Sequence, residues 1–312
     1  MSAHPVFAKW DAEDEGNMTD LLNVQIQRND DGSITLHQSP YIDKMIERFF
    51  PDGPPTSLQA TQTPSTPELA QSVLDASLST PDITPDKKQL ELNKRYSSLV
   101  GSLLYAATQT RPDVAYAVGM LSRVLSKPNE SLIKHAERVL LYLWRHKNIG
   151  LRYETTPTTP EGFSDASWEV RHSTSGWLVR WQQAVISFAS KKQNSVATSS
   201  AEAELVALSD AAKDCIYFQK FSDELCPPAP RPMTLACDNQ AARDLAYNPE
   251  HHDRTKHIAR RHFYVRETVE NHDLRVPFVR SHENLADFFT KHLPNKTFFA
   301  LRKVIMNISS ER

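Results

Sequence analysis

The chain has 312 residues, 39% of them hydrophobic and 24% charged, with a formal net charge of -2. That length predicts two domains, each able to bury its own core, and the composition is that of a soluble globular protein with no apolar run near the ~20 residues that span a bilayer. The charge does not advertise a nucleic-acid partner, Cys215, Cys226 and Cys237 lack the spacing of a zinc site or disulfide scaffold, and the opening MSAHPVFAKWDAEDEG shows no secretory signal, so an intracellular, reducing setting without a membrane partner is expected.

Between Asp20 and Gln38, the extended runs LLNVQIQ and SITLH flank Asn29-Asp30-Asp31-Gly32, and the Asp-Gly step predicts a hairpin. Ser39 to Phe50 predicts a short helix, with Ser39 as N-cap, Pro40 in the first helical position and Pro51 ending it. Residues 51–88 are rich in Pro, Ser and Thr and predict a poorly ordered linker. Three helices are expected next, over about 90–108, 111–126 and 129–147, making an all-helical unit within 89–155. Ile133, Ala136, Val139, Leu140 and Tyr142 mark the apolar face of the third.

After a second linker, the period changes. Strands are expected at 162–166, 176–181, 184–189, 233–237 and 275–279, and helices at 199–225, 239–246, 256–270 and from about 284. That order points to an α/β fold with helices packed on a mixed sheet, spanning 160–295, with residues 296–312 as a tail.

Four carboxylates stand at the joints of this second unit. Asp165 lies in the first strand, Glu204 on the first turns of the long helix, Asp238 at the end of the fourth strand and Asp287 near the start of the last helix. Acidic side chains converging where strands meet helices would repel one another unless cations were present, and hard oxygen ligands favour magnesium or manganese over zinc. Glu202 and Glu204 project about 200° apart around a helix and cannot both face one site. Glu204 flanks the apolar face marked by Ala201, Leu205, Leu208 and Ala212 more closely, and Glu202 remains the alternative. Taken singly, each acid has a plainer reading as a cap or a solvated turn residue.

The blocks GFSDASW, RHSTSGW, ISFASKKQ, SSAEAELVALSDAAKD, CDNQAA, RTKHIARRHFYVRE and LADFFTKHLP, in this order, resemble the ribonuclease H of copia-type retrotransposons. The resemblance implies a five-stranded mixed sheet with helices and an acidic quartet at Asp165, Glu204, Asp238 and Asp287. It also implies two bound Mg2+ or Mn2+ ions and endonucleolytic cutting of the RNA strand of RNA–DNA hybrids. Asn239 and Gln240 are expected to reach the hybrid, while Lys191, Lys192, Arg254 and Lys256 are expected at phosphates. His282 is a candidate auxiliary group, and His251, His252, His257 and His262 match no common zinc spacing. YSSLVGSLLYAATQTRPDVAYAVGMLSR resembles the connecting region behind the polymerase of the same polyproteins, and the hairpin and first helix (1–50) resemble the palm's end and the thumb's start. The Tyr-x-Asp-Asp turn of the polymerase is absent. The expected partners are thus a hybrid and the polymerase fingers and palm, with no polymerase activity from this chain, in a cytoplasmic particle or the nucleus. The rival expectation is an idle remnant that only binds nucleic acid or a polymerase.

Overall fold

Gly32 turns the chain at φ +83°, a conformation that side chains disfavour, and Asp31 Oδ1 accepts from the Ser33 amide at 3.1 Å. The expected hairpin forms here, with β2 (Val24–Arg28) antiparallel to β3 (Ile34–His37). The structure, a computed structural model, describes residues 16–55, 63–79, 86–156, 158–168, 172–225, 230–247 and 256–308. β1 (Asp20–Leu21) and β4 (Leu151–Tyr153) extend the hairpin into a four-stranded sheet of order β1-β2-β3-β4. β4 corrects the all-helical reading of 89–155. Three residues carry no readable period, and the strand is recognisable only by its partner. Gly150 admits that partner closely, since a Cβ there would lie 2.0 Å from Leu36 O.

Helix α1 (Ser39–Phe49) begins one residue earlier than expected. Gln38 occupies the cap position, and Ser39 Oγ instead donates to Lys147 O at 2.8 Å. Residues 63–79 correct the linker reading, for α2 (Glu68–Leu78) buries Leu69, Val73 and Ala76 on one face. Three apolar positions among prolines and serines are too few to announce a helix until the neighbouring face is known. α3 (Lys87–Gln109) is capped by Asp86. A 3-10 turn (Pro112–Val114) leads into α4 (Ala115–Ser122), and α5 (Glu130–Arg145) is capped by Asn129.

Beneath these helices lies a charged network with no exposed side-chain surface on its central pair, Arg111 and Asp113, whose charged atoms approach to 2.7 Å. Tyr142 Oη donates to Asp113 Oδ2 at 2.6 Å and accepts from Arg302 Nη1 at 3.0 Å. Burial would raise the Asp113 carboxyl, but the Arg111 guanidinium beside it holds it below its ordinary range.

The second sheet has the expected five strands, in the order β7-β6-β5-β8-β9. β5 (Glu161–Ser167), β6 (Thr174–Trp181) and β7 (Ala184–Lys192) run antiparallel in sequence, whereas β8 (Met233–Cys237) is parallel to β5 and β9 (Leu274–Arg275) to β8. The ribonuclease H-like mixed α/β arrangement is thus present. On one face, Trp177 and Val179 pack with Leu208, Ala211 and Ala212 of α6 (Ser200–Leu225) and with Val265 of α8 (Lys256–Glu270), beside α7 (Gln240–Tyr247). On the other face, Phe163, Leu178 and Val185 join a cluster that runs through Phe289 and Phe298 into α1–α5.

Two expectations at the end of the chain are corrected. The strand over 275–279 shrinks to Leu274–Arg275 plus one bridge from Cys237 to Phe278, because Pro277 has no N–H to give the ladder. In place of one helix from 284, Leu285–Phe289 form a 3-10 turn, and α9 (Asn295–Met306) starts behind Pro294. With Phe298, Arg302, Ile305 and Met306 buried, these residues are core rather than tail.

Candidate metal centre

Strand register fixes the first two acids. β5 and β8 are parallel neighbours with Ser164 opposite Cys237, so Asp165 and Asp238, each one residue further on, leave the same end of the sheet side by side. α6 begins at that end and brings Glu204 in from above. One carboxylate oxygen from each of Asp165, Glu204 and Asp238 lies within 4.8 Å of the other two. Asp165 and Glu204 are 5% and 8% exposed, and Asp238 is half-buried.

Asp165 faces the 3-10 turn, where the Thr290 hydroxyl donates to Asp165 Oδ2. Gly176 makes that approach possible. It sits opposite Asp165 in the register, and a Cβ on it would come within 2.5 Å of Thr290 Cγ2 and 2.9 Å of Phe289 Cβ. Burial pushes the Asp165 carboxyl up to about 7, helped by the charges of Asp287 and Asp238 against the Thr290 hydrogen bond. Burial also pushes Glu204 up to about 9, with the Asp165 and Asp238 charges adding to it. Glu204 Oε2 is buried and has no hydrogen-bond partner among the described residues.

The two candidate glutamates separate cleanly. Glu202 Oε2 turns away to accept from the Thr198 amide and hydroxyl, both at 2.7 Å, while Ser199 Oγ accepts from the Glu202 amide at 3.2 Å. This is a capping arrangement that satisfies the helix start. Asp287 lies near enough to raise Asp165, but it is outside the three-acid group and its Oδ1 accepts from Lys291 Nζ at 2.7 Å.

The remaining predicted residues disperse. Asn239 caps α7, its Oδ1 accepting from the Ala242 amide at 3.0 Å, and Gln240 Nε2 donates to Asp244 at 2.8 Å. Lys191 and Lys192 are exposed at the end of β7. Their side chains point to opposite faces of the sheet, and the register Ser167–Thr174–Lys192 puts Lys192 on the face of Asp165. His282 is exposed, 3.8 Å from Glu283. Arg254, His251 and His252 lie outside the described residues, as do the side chains of Lys256, His257 and His262.

Sequence reasoning missed Thr290 and Lys291, although both stand in the block LADFFTKHLP, one turn beyond Asp287. A hydroxyl and an amine at i+3 and i+4 from a proposed ligand were the available signal. It also missed Ser199-x-x-Glu202, whose spacing is that of a capping box.

Three carboxylates at this separation, one of them with a buried oxygen that nothing among the described residues serves, match the oxygen donors that magnesium and manganese take. The residues therefore fit a divalent cation. No protein-family model matches the chain. It is 32% identical over 301 residues to the retrovirus-related Pol polyprotein from transposon TNT 1-94 of Nicotiana tabacum, an alignment covering 95% of this chain and 22% of that protein. To the corresponding polyprotein from transposon RE1 of Arabidopsis thaliana, it is 36% identical over 208 residues, covering 65% of this chain and 14% of the relative. Among solved structures, ribonuclease H1 from Halobacterium salinarum NRC-1 superposes with a TM-score of 0.32 at 15% identity, over 43% of this chain and 95% of that one. The chain thus spans about a fifth or less of the length of these curated relatives.

Proposed function

The chain belongs to the retrovirus-related Pol polyproteins of copia-type transposons, and from that premise we propose that its five-stranded unit is a ribonuclease H that cuts the RNA strand of RNA–DNA hybrids. The observation that carries this reading is the meeting of Asp165, Glu204 and Asp238 at one end of the sheet, with Glu204 Oε2 left unserved. These three side chains would hold magnesium or manganese, with Asp287 beside them as the fourth acid. Two such ions, when bound, supply an activated water and stabilisation of the leaving oxygen in an in-line phosphodiester displacement.

The chain's own groups do the rest. Thr290 fixes the carboxylate plane of Asp165, and the buried α6 backbone fixes Glu204, so neither ligand must be ordered when substrate arrives. Lys291 holds Asp287 out of the group and keeps a cation beside it. Lys192, exposed on the face of Asp165, is the cation that this reading assigns to a flanking phosphate. Hydrolysis of this kind leaves a 3′-hydroxyl and a 5′-phosphate.

The test is a labelled RNA–DNA hybrid offered with Mg2+ or Mn2+ beside RNA duplex, DNA duplex and single-stranded RNA of the same sequence. Cutting of the RNA strand of the hybrid alone, abolished by chelator, is expected. Folded protein that binds the hybrid but never cuts it would replace this reading with that of a nucleic-acid-binding remnant.

A further inference from the structure

Three described tryptophans beside the five-stranded sheet use their indole N–H within the fold, yet they differ in what else they do. Trp177 donates to Asp214 at 2.7 Å and Trp181 to the Thr158 carbonyl at 2.9 Å, and neither is exposed. Trp168 donates to the Ala197 carbonyl at 3.2 Å and still leaves 57% of its surface in water. An indole pinned by its polar end, with its apolar face open, is an unusual use of the residue that gains most from burial.

Its position is specific. Trp168 follows β5 directly and stands three residues beyond Asp165, a reach of at most ~10 Å along the chain. Through Ala197, it also grips the loop that leads into α6 and Glu204. The end of β7, two strands away across β6, carries Lys191 and Lys192 on opposite faces of the sheet, both exposed and, among the described residues, without an ion pair. An ordered aromatic ring, the Lys192 cation on the face of Asp165 and the acidic group, all at one end of the sheet, suit one ligand chemistry together. That ligand presents a flat ring, a sugar and phosphates in succession.

We infer that the Trp168 indole packs on the sugar–base edge of the nucleotide next to the scissile phosphate, on the strand being cut, and so sets where along that strand the acidic group acts. The inference rests on the nuclease reading of the same site and adds a contact to it. The ring is already ordered by the Ala197 hydrogen bond, so little side-chain entropy is lost on contact. Its role is to bind and position.

The test compares the full chain with Trp168→Ala and Trp168→Phe, each checked for an unchanged melting temperature. The substrate is a hybrid in which modified sugars confine cutting to one position. Trp168→Ala is expected to raise KM about tenfold with kcat within about twofold, and Trp168→Phe to recover most of the loss. A hybrid lacking the base next to the cut should cost the wild-type chain the same factor and cost Trp168→Ala nothing further, because the two losses are one contact. An unchanged KM in Trp168→Ala, or losses that add, would overturn the inference while leaving the nuclease reading standing. If Trp168→Ala does not fold, Trp168→Leu, which also removes the ring, takes its place in the same comparison. Hybrid affinity measured with Ca2+ in place of Mg2+ separates the two readings. A wild-type chain that never cuts, yet loses affinity about tenfold on Trp168→Ala, ends the nuclease reading and keeps the contact.

Discussion

Replacing Asp165 by Asn is expected to lower hybrid cleavage on the order of 10³-fold or more and, at the same time, to make the metal-free protein more stable above pH 7. The two effects have one cause. Asp165 and Glu204 are pushed up to about 7 and about 9, chiefly by burial. A carboxyl raised in the folded state takes up a proton that the unfolded chain has already released. Its stabilising contribution is therefore complete below the ordinary carboxylate range and is lost as pH rises through the folded value. Metal-free wild-type protein should lose several kcal/mol of stability, on the order of 7, between pH 5 and pH 9 from this pair, and Mg2+ should restore most of it. In Asp165→Asn, the amide brings no charge to repel Glu204, so the decline with pH becomes shallower and Mg2+ has less effect. Urea unfolding across pH, with and without Mg2+, reads both. A wild-type protein whose stability rises from pH 5 to pH 9 without metal would refute the account of mutually repelling, buried acids.

Asp113→Ala is expected to destabilise the chain by about 3–5 kcal/mol, the scale set by stranding a buried charge. The Arg111 side chain has no exposed surface, and its guanidinium has Asp113 as its ionic partner at 2.7 Å. Removing that carboxylate leaves the guanidinium buried against Tyr142, whose hydroxyl loses its acceptor as well. The damage should extend to the second sheet. Tyr142 holds Arg302 of α9, and Phe298 of α9 stacks on Phe288 of the 3-10 turn, with ring centroids 5.0 Å apart. That turn leads directly to Thr290, the partner of Asp165. The double change Arg111→Met/Asp113→Leu removes both charges together and should cost less than Asp113→Ala alone. Equal or greater loss in the double variant would mean that the pair acts through packing and not through charge.

What the sequence discloses and what it conceals follows from how far apart the partners are. Four strands of the second sheet run for five to nine residues with their apolar positions alternating or adjacent, so they are visible from local pattern alone. Asp165, Glu204 and Asp238 are legible for the same reason, each standing where a readable strand or helix begins or ends. β4 and α2 are not, because each is stabilised almost entirely by a surface remote in sequence: β4 by Leu36 and Ile34, α2 by α4 and α5. The helix expected from residue 284 becomes a turn for a different reason. Asn284 Oδ1 caps it by accepting from the Ala286 amide at 3.1 Å, the pattern of a true helix start, but Pro294 ends the run and starts another. The separate duties of Glu202 and Glu204 lie between these cases. Helical geometry says that they diverge, and the Ser199-x-x-Glu202 spacing says which one caps.

Calorimetric titration of Mn2+ into the full chain at pH 7.5, with Glu204→Gln and Glu202→Gln beside the wild type, tests the metal centre most directly. Saturable binding of two ions by the wild type and by Glu202→Gln, weakened at least about tenfold in Glu204→Gln, is the expected result. Binding lost in Glu202→Gln and kept in Glu204→Gln, or no saturable binding by folded wild-type protein, would contradict it.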